Sequence, residues 1–327
     1  MSWRIVFMGS DPIALPVLDA IGKGLCGSIE IVAIYTQPDR ARGRGKKIAA
    51  NEIKLWALEQ GIPVFQPEKM GKQDRLDIAA MEIDSILVMA FGHMLSQALI
   101  DTPDRGTWNL HTSILPKFRG ASPIQCAIAE GETESGVSLM QVVKEMDAGP
   151  VLDIESVPIH RLDTAIEVEA RLSSACVPLI RRNFDAILKG AAQPVAQDAL
   201  HASYVRKLGK ADGNLDFAAP AGKLARRING LFPWPGTRFE WKGVDIKIGL
   251  ADFDDASRGG VHGEALGFES GGLAVACGAG VLYLKRLQRP GGKMLDAEAF
   301  SRGFEIPSGS ILESKPMPVL ATPSPIH

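Results

Sequence analysis

The sequence has no apolar run long enough to cross a membrane. Its longest uninterrupted stretches, such as Ile86 to Ala90, fall far short of the ~18 residues a helical span needs, and they read as buried strands. A secretory signal is unsupported on the same ground, because Ile5 to Met8 stops at Gly9-Ser10-Asp11 before an apolar region of about 7 to 15 residues can form. A cytoplasmic chain is the expectation. Cysteine is scarce: Cys26, Cys126, Cys176 and Cys277 are widely spaced, with no CxxC pair, which excludes a disulfide framework and predicts reduced, mostly buried thiols. Neither sign of charge dominates, since 36 Lys+Arg face 38 Asp+Glu. A charged fraction of 23% beside 46% hydrophobic residues excludes a disordered chain, and 327 residues supply enough apolar side chains for two cores. Several fingerprints are missing too. No G-x-G-x-x-G follows the first strand and no G-x-x-x-x-G-K-[ST] occurs, so the usual dinucleotide and nucleoside triphosphate sites have no support.

What is present is an alternation of strands and helices. Arg4 to Gly9 is an apolar run ending in glycine, and Ser10-Asp11-Pro12 follows, where Pro suits the first turn of a helix because its missing N–H is an orphan there anyway. Ile29 to Thr36 and Ile83 to Ala90 lack polar alternation, the pattern of strands covered on both faces, and helical segments at 51–60 and 70–81 separate them. Trp108 to Leu115, Ser135 to Val143 and Pro150 to Ile159 read as further strands, and helices are expected at 122–131 and 163–189. The fold class is α/β, with a mostly parallel, Rossmann-like sheet over residues 1–190. Residues 191–205, small and Pro-interrupted, fit a linker. From 206 to 315 short strands between Gly-rich turns predict a small antiparallel barrel or sandwich, and 316–327, with four prolines, a mobile tail.

Candidate chemistry gathers in two places. Within Trp108 to Pro116, two-residue alternation puts Asn109, His111 and Ser113 on one strand face, which is costly in an interior strand unless that face opens into a cleft. Met146-Asp147-Ala148-Gly149-Pro150 then places a carboxylate on a turn after a strand, where ligands collect in open α/β sheets. An amide for an oxyanion, an imidazole for proton transfer and a carboxylate to orient it make a plausible set. Plainer readings stand beside it: a satisfied core histidine, and an aspartate bonding its own turn. No intrinsic nucleophile is apparent, for Ser113 is in no G-x-S-x-G elbow and Cys126 lies on an amphipathic helix, so the nucleophile is expected from the substrate. Metal binding by His93, His111 and Asp147 lacks any recognised spacing, and no metal is expected. Residues 1–200 carry 20 basic and 25 acidic side chains, yet Arg40, Arg42, Arg44, Lys46 and Lys47 fall within eight residues free of acid. Such a cluster suits an anionic partner, or is a solvated loop.

Asn109-Leu-His111 through Ser113-Ile-Leu-Pro-Lys-Phe-Arg-Gly-Ala-Ser-Pro-Ile-Gln125, with Met146-Asp-Ala-Gly-Pro150, resembles the formyltransferases that use 10-formyltetrahydrofolate. Gln37-Pro-Asp-Arg40 with Gly43-Arg-Gly-Lys-Lys47, Ile228-Asn-Gly230 with Pro233-Trp-Pro-Gly236, and Arg302-Gly303 are similar to the branch that formylates methionyl-tRNA. The resemblance covers about residues 3–315. It implies a Rossmann-like catalytic domain, a linker and an OB-like C-terminal barrel that helps hold tRNA. It also implies that Asn109, His111 and Asp147 are catalytic and that Ser113, Ile114, Leu115 and Pro116 contact folate, with Phe91-Gly92 and 139–147 bordering the pterin. The implied co-substrate is 10-formyltetrahydrofolate and the implied partner initiator Met-tRNA, bound in part by Arg40, Arg42, Arg44, Lys46 and Lys47. A monomer without an obligate protein partner, away from membranes, is the default. Lys207, Lys210, Lys223, Arg226, Arg227 and Lys285 to Arg289 are candidates for extending the RNA track. Two alternatives remain at this point: formylation of a small amine such as an amino sugar or glycinamide ribonucleotide, and an RNA-binding module with a dead catalytic half.

Overall fold

Ile5, Val6, Phe7 and Met8 are all fully buried, as a strand covered on both faces requires. They form β1 (Trp3–Gly9) in a computed structural model that describes residues 2–42, 47–256 and 258–325. The chain divides into two units, one of Met1–Arg119, Gly136–Val157 and Ala170–Ala202, the other of Gly120–Ser135, Pro158–Glu169 and Ser203–His327.

In the first unit β1 is joined by β2 (Ile29–Tyr35), β3 (Val64–Phe65), β4 (Ser85–Met89), β5 (Thr107–His111), β6 (Glu134–Gln141) and β7 (Val151–Pro158). They line up in the order β7-β6-β5-β4-β1-β2-β3. Phe7 stands opposite Ile34 on one side and Leu87 on the other, both parallel, and β4 pairs parallel with β5, Val88 facing Asn109. The β5–β6 ladder, with His111 opposite Ser138, is antiparallel. The expected mostly parallel sheet is therefore observed. Gly9 is required where β1 ends, because a Cβ there would stand 2.6 Å from the Met89 carbonyl oxygen.

The helices start where their caps dictate. Asp11 accepts from the Ile13 amide at 3.0 Å and Pro12 opens the turn that leads into α1 (Leu15–Gly22). Asn51 caps α2 (Glu52–Glu59) through the Lys54 amide at 2.9 Å. Then come α3 (Lys72–Ala80), α4 (Gln97–Ile100), α5 (Pro123–Glu130), closed by Gly131 at φ +88°, and the long α6 (Ala165–Leu188). No helix among the described residues is long and apolar enough to cross a membrane.

The second unit is built on α7 (Ala221–Gly230) and an antiparallel sheet of β8 (Thr237–Trp241), β9 (Val244–Asp254), β10 (Ala265–Glu269), β11 (Gly272–Ala276) and β12 (Val281–Gln288), ordered β8-β9-β12-β11-β10, with Leu295–Asp296 added on β12. Two register shifts bend β9 against β12. Leu224, Ile228, Ile246, Ile248, Leu273 and Leu284 meet in its core. The segment expected as a mobile tail is instead tied down: Ala321 and Thr322 pair with Val205 and Tyr204, Leu320 is buried, and the Pro318 carbonyl accepts from Arg227. Prolines lack donors, not acceptors, so they do not prevent this. Arg227 is withdrawn from the expected RNA track by the same contacts. It is 5% exposed, bonded through Nε and Nη2 to the Asp212 carbonyl.

Candidate active site

β5 presents Asn109 and His111 from one face, two residues apart. The strand was expected to run on to Leu115, carrying Ser113 with them, but it ends at His111. The Ser113 amide donates to the His111 carbonyl at 2.9 Å, a turn that breaks the two-residue period. Ser113 is fully buried, its hydroxyl donating to the Lys117 carbonyl at 2.6 Å while its own carbonyl accepts from Ser138 Oγ at 2.7 Å. It staples the 113–117 turn and does not project beside His111. Leu115 is buried as well, its amide donating to Ser138 Oγ, whereas Ile114 and Pro116 are half-buried.

His111 is 6% exposed, and both its ring nitrogens are engaged. Nε2 lies 3.0 Å from the Phe118 carbonyl oxygen, and Nδ1 lies 3.7 Å from Asp147 Oδ2. A carbonyl only accepts, so Nε2 carries a proton and Nδ1 is the position that gains or loses one. When it gains one, a carboxylate stands before it. The two partners are held by unusual backbone: Phe118 at φ +59° and Asp147 at φ +50°. Left-handed geometry is a true outlier for a bulky aromatic residue, and such conformations persist where the surroundings over-determine them. Asn109 is half-buried, and among the described residues its carboxamide has no protein hydrogen-bond partner. It faces Met140 across the ladder.

The site has a neighbour at the ends of β1, β2 and β4. Phe91 is buried, and its carbonyl accepts from Gln37 Nε2 at 3.1 Å and Ser10 Oγ at 3.4 Å, with Gly92 at φ +78°. Arg40 donates to Gln37 Oε1 at 2.9 Å at the base of a two-stranded ribbon, Arg40–Arg42 paired antiparallel with Lys47–Ala49. Arg44 and Lys46 lie outside the described residues, as do the side chains of Arg42 and Lys47. Burial and the charge of Arg40 hold the His93 imidazole below its ordinary pKa. Among the described residues no cluster of His, Cys, Asp and Glu is arranged to hold a metal. All four cysteines are free, and burial, reinforced by Glu130 and Asp212, pushes the Cys126 thiol up to about 12, which leaves it no nucleophile at neutral pH.

Two residues outside the expected site touch it. Gln197, in the segment expected as a linker, donates from Nε2 to the carbonyls of Asp147 at 2.9 Å and Gly149 at 2.7 Å, while its Oε1 accepts from Arg119. No local periodicity could have singled them out, since the contacts join residues 48 to 78 positions apart.

Comparison with known proteins fits this geometry. Residues 3–180 match the formyl transferase family and residues 207–305 the formyl transferase C-terminal domain. The methionyl-tRNA formyltransferase of Ectopseudomonas mendocina (strain ymp) is 40% identical over 295 residues, covering 90% of this chain and 92% of its own. That of Trichlorobacter lovleyi is 35% identical over 311 residues, 95% and 97% of the two chains. In fold, the chain is similar to the N-formyltransferase of Helicobacter canadensis, solved with folinic acid and dTDP-3-aminofucose, at a TM-score of 0.65 and 18% identity over 87% of this chain and 99% of that one. Both halves match, and the identity to the tRNA-directed relatives extends along nine-tenths of the sequence: the chain belongs to the methionyl-tRNA formyltransferase family.

Proposed function

We propose that this chain transfers the formyl group of 10-formyltetrahydrofolate to the α-amino group of initiator methionyl-tRNA, giving N-formylmethionyl-tRNA for translation initiation. The observation that carries the reading is one imidazole, His111, engaged at Nε2 by a carbonyl and faced at Nδ1 by Asp147, with the Asn109 amide, which has no protein partner among the described residues, two residues earlier on the same strand face. The residues fit a folate co-substrate, because the Asn109 carboxamide, half-buried and without a protein partner among the described residues, can donate to a ligand oxygen. The folate supplies an activated formyl carbon, and no metal is needed.

The protein's part is electrostatic and protonic. The Asn109 amide donates to the oxygen that gains negative charge during acyl transfer. An α-amine with an ordinary pKa of about 7.7 to 8.0 is already a competent nucleophile near neutrality, so strong base assistance is unnecessary. His111 takes the proton that must leave the attacking amine and passes it to N10 of the folate as the formyl carbon–N10 bond breaks, so that neutral tetrahydrofolate departs, and Asp147 stabilises the imidazolium while it lasts. Ile114 and Pro116, with Phe91 and Gly92, border the folate, and the buried Ser113 and Leu115 hold the turn that carries them. Arg40, Arg42, Arg44, Lys46 and Lys47 take the tRNA backbone. The chain works in the cytoplasm as a monomer without a protein partner, a mass that native mass spectrometry reads directly.

The test is formyl transfer from 10-formyltetrahydrofolate to charged initiator Met-tRNA, with elongator Met-tRNA and free methionine alongside. Rapid transfer to the initiator alone is the expected result. Transfer to a small amine in preference to all three contradicts it.

A further inference from the structure

We propose that Arg119 and Gln197 are positioning residues for formyl transfer, acting together through the loop that carries Asp147. The inference rests on the reading of Asn109, His111 and Asp147 given above. Arg119 is 4% exposed, and a buried guanidinium is retained only where its donors are used. Its Nε and Nη2 donate to Gln197 Oε1 at 3.1 and 2.7 Å. That pairing fixes the carboxamide, because a guanidinium has donors only and so the atom facing it is the oxygen. The amide nitrogen is turned the other way, and its two protons are spent on the carbonyls of Asp147 and Gly149.

The contacts form a closed circuit around one imidazole. His111 Nε2 meets the Phe118 carbonyl, Phe118 is bonded to Arg119, Arg119 holds Gln197, Gln197 holds the Asp147 backbone, and the Asp147 carboxylate returns to His111 Nδ1. Both members of the circuit with left-handed backbone, Phe118 and Asp147, sit immediately beside the bridge. A strained backbone needs more than one restraint to keep its carboxylate within a fraction of an ångström of a productive position. The bridge supplies such a restraint to both strained residues at once. Gln197 is half-buried between the exposed Ala196 and Asp198, while Val195 and Leu200 are 70% and 92% exposed. Arg119 holds Gln197, and Gln197 holds the backbone of the loop whose carboxylate faces the ring.

The experiment is a double-mutant cycle on the full chain, reading kcat, both KM values and the melting temperature for wild type, Gln197→Ala, Asp147→Ala and the double variant. Gln197→Ala is expected to lower kcat by about 10- to 100-fold with both KM values near wild type, the size of loss that small misplacements produce. In the Asp147→Ala background the same change is expected to do nothing further, because its effect runs through Asp147. Gln197→Glu separates this from a merely structural bridge. It keeps and strengthens the contact to Arg119 but sets an acceptor against two carbonyl oxygens, so it should be at least as slow as Gln197→Ala, whereas a structural bridge would leave it near wild type. Unchanged kcat in a folded Gln197→Ala beside a slow Asp147→Ala overturns the inference alone. Equal fold losses in both backgrounds overturn it as well. Wild-type kcat in Asp147→Ala overturns the reading of the site, and the inference with it.

Discussion

A Cβ built on Gly149 would stand 1.8 Å from the carbonyl oxygen of Gln141. The Gln141 amide donates to the Pro150 carbonyl at 2.9 Å, so the chain leaving the Asp147 loop lies directly on the end of β6. Only glycine allows that approach, and any side chain at 149 must lift the loop, moving Asp147 two residues earlier. Gly149→Ala is expected to cost on the order of 1–3 kcal/mol of stability, as overpacking does. Turnover should fall at least about 10-fold through misplacement of the carboxylate. Thermal melts and formyl-transfer assays on one preparation check both. A stable, fully active Gly149→Ala would mean that the loop tolerates displacement.

His111→Ala is expected to damage both function and fold. Loss of the bond to Phe118 costs about 0.5–1.5 kcal/mol net, and removing a buried ring adds a cavity to that. Loss of a positioned proton carrier reduces turnover about 10²- to 10⁴-fold. Denaturant titration beside single-turnover kinetics separates the two, and the kinetic loss should persist where the variant is fully folded.

The buried strands β1, β2 and β4 and the placing of Asn109 and His111 on one face are local patterns, so they are visible in the sequence. The end of β5 was not visible. Alternation continues in the sequence to Leu115, but a strand lasts only as long as its backbone groups find a ladder, and the Ser113 amide is spent on His111. Gln197 was hidden for a different reason. Small, Pro-interrupted sequence reads as linker whatever a single amide in it does, and its partners Arg119, Asp147 and Gly149 are distant in the chain. The C-terminal segment misled through its prolines, whose carbonyls still accept.

Acid should weaken the second unit in a defined window. Burial opposes ionisation of Asp212, but bonds from Arg206 at 2.6 and 2.8 Å and from the Gly209 amide outweigh it, holding the carboxyl below its ordinary range. With the folded pKa depressed, the unfolded chain binds the proton first, so the contribution is fully present above the unfolded value of about 3.9 and is lost as pH falls below it. Asp212→Asn should lose about 1.5–3 kcal/mol at neutral pH, the worth of hydrogen bonds to a charged group. Its stability should then fall less steeply below pH 4 than that of wild type. Urea titrations at stepped pH give the comparison.

The basic ribbon predicts salt dependence. If Arg42 and Lys47 meet phosphates, KM for tRNA rises with salt, and replacing either by alanine raises KM at low salt and reduces the logarithmic slope by about one. The maximal rate with saturating tRNA should be unchanged. A KM that is flat between low and moderate salt removes the ribbon from the tRNA site.

The most direct test of the central claim is the single-turnover rate of formyl transfer to initiator Met-tRNA by Asn109→Ala. The carboxamide has no partner among the described residues, so the variant should melt within about 0.5 kcal/mol of wild type. Loss of this donor for the charged oxygen should slow transfer about 10²- to 10³-fold. A folded Asn109→Ala that transfers formyl at the wild-type rate would contradict the account.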